Sequence, residues 1–313
     1  MREGKPRPVR IALIQQAALS PEPEQNKAEL CELIDRLAAE ADFVMPTELS
    51  TTPYFGIVRD RSLEPWAEKL GGSFLTKVAE IAGRRNATVL IPVYLNCENG
   101  TFANVVVVYG PDGRMVQGDL PGRAPVGYFT KVHLPSAWRN DKGLDEPFYF
   151  RRGDGFPVFT TPRARIGVLI CYDRRFPEAW RSMALAGAEL IFMPSCVPSW
   201  NPGALASTGD MFVSELQTRA CENGVFVAAC NRAGEQKFRN IVTQFIGRSC
   251  VIDPAGGVLE QAPAAAAANL TVEIDLDNIR RVRRRLNLLQ ERQPHAYDLG
   301  ARTRLADEQE RSA

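Results

Sequence analysis

Residues 165–178 read RIGVLICYDRRFPE, and the fold turns on how they are taken. RIGVLI, at 165–170, is an apolar run of strand length, suited to a strand buried on both faces. A segment of helical period follows at 177–186. Between strand and helix lies a short polar turn that opens on Cys171. The same alternation extends in both directions. Downstream, 190–194 is a strand, 209–223 a helix, 225–230 a strand and 245–252 another. A turn at 253–257 and a strand at 270–275 follow. Upstream, 9–15 is a buried strand, and 26–40 is an amphipathic helix with Leu30, Ile34 and Leu37 on one face. A strand at 41–46 ends at Thr47-Glu48, and a helix at 73–85 precedes a strand at 88–95. Residues 102–109 and 114–118 suit a hairpin around Pro111-Asp112-Gly113. Strands alternating with helices predict an α/β protein.

No composition shift or Pro/Ser-rich linker divides the 313 residues. We therefore read residues 1–300 as a single domain and 301–313 as a polar C-terminal tail. With 38 basic and 37 acidic side chains, the formal charge of +1 makes no case for a nucleic-acid or membrane-surface partner. The arginine-rich stretch at 280–285 lacks interleaved aromatics and reads as a solvated face or subunit contact. No run approaches the ~20 apolar residues of a spanning helix. Seven scattered cysteines, an odd number, argue against a secreted disulfide framework and point to a reducing cytoplasm.

Three polar groups follow apolar strands directly. Glu48 comes after FVMP, Lys131 after VGYFT and Cys171 after GVLI. Sites in open α/β sheets form beyond the carboxyl ends of strands, so all three stand where chemistry is expected. Their flanks carry a resemblance. PTELS (46–50), KVHLP (131–135) and ICYDRRFPE (170–178) resemble, in order and spacing, the three signature segments of the nitrilase superfamily of carbon–nitrogen hydrolases. The likeness continues through GRSCVIDPAGGVL (247–259) and RQPHAYDL (292–299). It implies a four-layer αββα sandwich, assembled as a homo-oligomer such as a dimer or tetramer.

The same resemblance implies the chemistry. Cys171 would be the nucleophile, a role that suits a thiolate, the strongest side-chain nucleophile near neutral pH. Glu48 would take its proton and later activate water. Lys131 and the backbone N–H of Tyr172 would hold the oxyanion. Glu146, in DEPFYFRRGD, matches the family's second glutamate, a positioning group for Lys131 or the attacking water. Two histidines, no C-x-x-C pair and no phosphate-binding glycine motif leave no metal site and no cofactor in the expectation.

Arg174 and Arg175 bear on the substrate, because arginine forks onto a carboxylate through two parallel bonds. At least one is expected to pair with Asp173 or Glu178 as scaffold. The C-x-D-R-R-x-P-E pattern and TTPYF (51–55) resemble the N-carbamoyl-amino-acid amidohydrolase branch, whose substrates carry a carboxylate. His133 is either a donor near the pocket or a satisfied scaffold residue. The D-specific carbamoylases have histidines where this chain has Gly143, Leu144 and Asp145, and asparagine where it has Tyr172. The C-Y-D triplet is that of ω-amidases, and a nitrilase has C-W-E. The expectation is a cofactor-free hydrolase of the ureido bond of an N-carbamoyl amino acid. An ω-amidase and a catalytically silent binding protein of the same fold are the alternatives.

Overall fold

FANVVVVY, the apolar run at 102–109, is buried along its whole length and sits inside the first of two large sheets. That sheet runs in the order β15 (Ala268–Asp275), β1 (Pro8–Gln15), β2 (Phe43–Pro46), β3 (Thr88–Asn96), β4 (Phe102–Tyr109) and β6 (Tyr128–Thr130). β1, β2 and β3 are parallel, with Ile11 opposite Phe43 and Phe43 opposite Thr88. The second sheet runs β14 (Val258–Gln261), β13 (Cys250–Ile252), β10 (Phe226–Asn231), β9 (Leu190–Ser195), β8 (Arg165–Val168), β7 (Val158–Thr160) and β5 (Gly118–Asp119). Here β8, β9 and β10 are parallel, Ile166 and Phe226 both standing opposite Leu190. The computed structural model describes residues 6–97, 100–138, 143–199 and 207–300; the polar tail at 301–313 lies outside them.

Helices cover the outer faces. Leu30 and Ile34 of α1 (Pro23–Leu37) and Leu75, Val78 and Ile81 of α2 (Ser73–Arg85) pack on Val44, Val89 and Ile91 of the first sheet. On the second sheet, Trp180 and Met183 of α3 (Pro177–Leu185) and Phe212 and Leu216 of α4 (Thr208–Asn223) do the same. The inner faces of the sheets meet directly, the Phe43 and Phe192 rings 5.4 Å apart. The layers are therefore α, β, β, α, as the resemblance implies. Burying a side chain of this size stabilises by ~1.5–3 kcal/mol, so the interior between the sheets dominates the fold.

Three elements differ from expectation. The strand read at 245–252 is two strands, β12 (Ile241–Ile246) and β13, because Gly247 (φ 56°) and Arg248 (φ 58°) turn left-handed between them. β12 pairs with β11 (Ala233–Phe238) in a separate two-stranded arm whose polar sequence, AGEQKF, hid it. The hairpin at 102–118 closes only as far as Val116, whose N–H bonds Val108. The chain then crosses to β5 in the other sheet. α1 begins at Pro23 rather than at 26, since proline at the first helical position gives up an N–H that would lack a partner anyway. The arginine run belongs to α5 (Asp277–Arg285). Arg283 turns inward to Gly224 O at 3.1 Å, and Arg280, Arg281, Arg284 and Arg285 are exposed. Among the described residues no helix is long and apolar enough to cross a membrane.

Candidate active site

The carboxyl ends of β2, β6, β8, β9 and β10 deliver one cluster of buried polar residues. Glu48 leaves β2 with its carboxylate fully buried. Oε1 accepts from Lys131 Nζ at 2.8 Å and from Asn104 Nδ2 at 2.7 Å. Oε2 accepts from the backbone N–H of Cys196, beyond β9, at 2.9 Å. Leu49, the next residue, takes φ 47°. For a residue with a Cβ, that left-handed conformation costs ~1–3 kcal/mol and persists only where the surroundings enforce it.

Lys131 follows β6 and is also fully buried. Its ammonium reaches Glu146 Oε1 at 2.7 Å, so it bridges two carboxylates. Glu146 opens a short 3-10 turn and takes a further bond, at 2.8 Å, from the Tyr54 hydroxyl. Its Oε2 is buried without a protein partner among the described residues. Buried charges persist where they are paired and hydrogen-bonded, and this triad meets both conditions except at that one oxygen.

Cys171 stands at the break after β8. Its backbone is left-handed, φ 48°, and it begins the 3-10 segment Cys171–Arg175. The residue as a whole is half-buried, and its thiol lies near enough to feel the charges of Glu48, Lys131, Arg174 and Glu146. The N–H of Tyr172 belongs to the first turn of that segment, where helical N–H groups lack intrahelical acceptors. Asp173 fixes the turn from inside: Oδ2 accepts from the Ile170 N–H at 3.1 Å, and Oδ1 from the His133 N–H at 2.8 Å.

Electrostatics shift Cys171, Lys131, Glu146 and Tyr54. Burial pushes the Cys171 thiol up to about 12, and Glu48 reinforces this against the opposing pull of Lys131 and Arg174. Burial works to lower the Lys131 ammonium, but Glu146 and Glu48 more than offset it and raise it, so it stays charged. Burial raises Glu146 to about 7, with Lys131 opposing and Glu48 adding to the rise. Burial, then Glu146, holds Tyr54 well above the usual phenol range. At rest, the site at neutral pH therefore holds a neutral thiol beside a permanent cation. A neutral thiol attacks a carbonyl only as a neighbouring base removes its proton.

Glu48, Lys131, Glu146 and Cys171 are thus brought together. The remaining sequence candidates divide. His133 is scaffold: Nδ1 lies 2.8 Å from Asp173 Oδ1, and its ring stacks on Phe176 at 3.5 Å between centroids. Tyr172 is 38% exposed and packs edge-on against Phe176. Arg174 is buried, its Nε 3.2 Å from Glu215 and its Nη1 donating to Cys171 O at 3.0 Å. The scaffold partner of the arginine pair is therefore Glu215 on α4, not Asp173 or Glu178, because Asp173 is taken by His133 and Ile170. Arg175 also reaches Glu215, at 3.3 Å, but its side chain is 40% exposed. Asn104, Tyr54 and Cys196 were not foreseen. Asn104 interrupts an otherwise apolar strand and Cys196 follows one, the same signal that marked Glu48 and Cys171.

Residues 10–284 match the family model described as carbon-nitrogen hydrolase. An N-carbamoylputrescine amidase of Solanum tuberosum is 32% identical over 234 residues, 73% of each chain. A citrullinase of Francisella tularensis is 26% identical over 292 residues, covering 93% of this chain and 97% of its own. The crystal structure of a carbon-nitrogen hydrolase from Helicobacter pylori superposes with a TM-score of 0.82 at 24% identity, over 94% of this chain and 99% of that one.

Proposed function

The chain belongs to the carbon–nitrogen hydrolase family, and from that premise we propose that it cleaves the ureido bond of an N-carbamoyl amino acid to amino acid, carbon dioxide and ammonia. One observation carries the chemistry. The Lys131 ammonium is held between Glu48 and Glu146, at 2.8 and 2.7 Å, beside a cysteine at a left-handed turn.

A ureido carbon is a weak electrophile, so a covalent path divides one difficult step into two. Sulfur of Cys171 attacks the carbon while Glu48 takes the thiol proton, which a thiol raised to about 12 does not shed alone. Negative charge moves to the carbonyl oxygen, where Lys131 and the Tyr172 N–H receive it. A preorganised donor of this kind is worth ~3–4 kcal/mol of barrier. The tetrahedral adduct expels an amine, protonated by Glu48, and leaves a carbamoyl thioester on Cys171. Glu48 then deprotonates a water that attacks this thioester. Release of the thiol and loss of carbon dioxide from the carbamic acid complete the cycle. Glu146 keeps Lys131 aimed, and its unpartnered Oε2 is the acceptor for that water.

The names of the Solanum and Francisella relatives denote ureido compounds, which supports a ureido substrate over a simple amide. Arg174 and Arg175 share one glutamate, which leaves a net positive charge, and the exposed Arg175 is the group to meet a carboxylate. Incubation with N-carbamoyl α- and β-amino acids, citrulline, N-carbamoylputrescine and ω-amides tests this reading through ammonia and carbon dioxide. Carbon dioxide equal to ammonia, on a carboxylate-bearing ureide, is expected. Ammonia without carbon dioxide makes the protein an ω-amidase, and turnover of nothing makes it a binding protein.

A further inference from the structure

Arg232, the residue after β10, is fully buried, yet among the described residues its guanidinium meets no carboxylate. A charge buried in this way is expensive and needs acceptors on every side. Its two Nη groups find them, chiefly on the turn that carries Glu48, and Nε is buried without a partner among the described residues. Nη2 donates to Glu48 O at 3.0 Å and Leu49 O at 3.1 Å, and Nη1 to Thr52 O at 3.0 Å. These carbonyls bracket the left-handed Leu49, directly after Glu48, whose carboxylate meets Lys131. Gln236 of β11 holds the fork in place. Its Oε1 accepts from Arg232 Nη1 at 3.1 Å and from Tyr54 N at 3.0 Å. Tyr54 in turn bonds Glu146, so one guanidinium is tied to the supports of both carboxylates.

The surrounding charges converge on the same turn. The groups that act on Glu48 are Lys131 and Glu146 from the segment after β6, Cys171 after β8, Cys196 after β9, Tyr54 on its own loop, and Arg232 after β10. Lys131 bonds both carboxylates, whereas Arg232 bonds the backbone of the Glu48 turn and acts on the neighbouring Cys196 thiol. We propose that Arg232 is a positioning residue that holds the Glu48 turn in its left-handed form and so keeps the Glu48 carboxylate aimed at Lys131 and Cys171. The inference rests on the hydrolase reading, because it needs Glu48 as the base.

Two variants separate position from charge. Arg232→Lys keeps the charge and loses the fork, whereas Gln236→Glu keeps the fork and gives it a competing carboxylate. The readouts are kcat and KM on the turned-over substrate, thermal unfolding, and the pH dependence of Cys171 alkylation by iodoacetamide, which requires no substrate. Arg232→Lys should lower kcat about tenfold or more with KM little changed, and leave the acid limb of both profiles in place. In Gln236→Glu, the new carboxylate competes with the Glu48 and Leu49 carbonyls for the fork, so kcat and the rate of Cys171 alkylation should fall several-fold with KM little changed. Wild-type kcat and alkylation rates in both variants, or losses of kcat that only follow unfolding, would overturn the proposal. If Arg232→Lys does not fold, the Gln236→Glu rates decide alone. Failure of the hydrolase reading shows instead in the wild type, as no turnover and no preference for Cys171 in alkylation.

Discussion

Asp173 Oδ1 lies 2.8 Å from both the backbone nitrogen and the ring Nδ1 of His133, and so joins the loop after Lys131 to the turn that begins at Cys171. With Oδ2 on the Ile170 N–H, this buried carboxylate sets the spacing between cation and sulfur. Asp173→Ala removes three hydrogen bonds to a charged acceptor. We expect ~2–4 kcal/mol of destabilisation in urea unfolding, together with a loss of kcat larger than any change in KM. Asp173→Asn should recover part of the stability, because one oxygen still accepts. Wild-type kcat in Asp173→Ala would show that the two loops do not depend on each other.

The bridging ammonium is the most exposed point of the proposed mechanism to a single substitution. Lys131→Met leaves two carboxylates facing each other without a cation, and breaking a buried pair costs ~3–5 kcal/mol. It also removes an oxyanion donor, so kcat should fall by ~10³-fold even where thermal unfolding shows folded protein. A Lys131→Met enzyme within tenfold of wild type would place the oxyanion elsewhere.

How the sequence conveyed these parts follows from what each depends on. Glu48, Lys131 and Cys171 were legible because each is a polar residue placed directly after an apolar strand, and the topology brings such ends together. The break between β12 and β13 was not, since the left-handed Arg248 has no residue-type signature. The partner of Arg174 was equally hidden. Glu215 lies 41 positions away on α4, and only packing of α4 on α3 brings them together. Arg232 reads in sequence as a charge after a strand; its buried setting is a tertiary fact.

Glu146 gives a pH signature in stability. Its carboxyl rises to about 7, chiefly through burial, from an ordinary 4.5. A carboxyl raised on folding contributes most below its unfolded value, and that contribution is lost as pH rises through the folded value. Between pH 4.5 and 7 the wild type should therefore lose stability relative to Glu146→Gln, by roughly 2–3 kcal/mol, since one unit corresponds to 1.36 kcal/mol. Urea unfolding of both proteins at pH 5 and pH 8 measures the difference. A constant gap would mean that Glu146 is ionised throughout.

Cys171 should be silent as a thiolate in the resting enzyme. With its thiol raised to about 12, absorbance at 240 nm should show no Cys171 titration between pH 6 and 9, as the difference between wild type and Cys171→Ala. Glu48→Gln should slow alkylation at Cys171 while leaving the other cysteines unaffected, because proton removal accompanies attack. Cys171→Ala should abolish turnover and retain substrate binding. A thiolate already present at pH 7 would relieve Glu48 of its role in the first step.

The two arginines after the nucleophile should respond differently to removal. Arg174 is buried against Glu215 and bonded to Cys171 O, so Arg174→Ala should lower kcat and thermal stability together. Arg175 is exposed, so losing its ion pair with Glu215 should scarcely change stability. If Arg175 receives the substrate carboxylate, Arg175→Ala should raise KM for an N-carbamoyl amino acid by ~10–100-fold, the worth of a charge-assisted pair. The same variant should leave KM for N-carbamoylputrescine, which has no carboxylate, unchanged or lower. Equal effects on both substrates would detach Arg175 from carboxylate recognition. The positive charge it shares with Arg174 would then serve the turn around Cys171 alone.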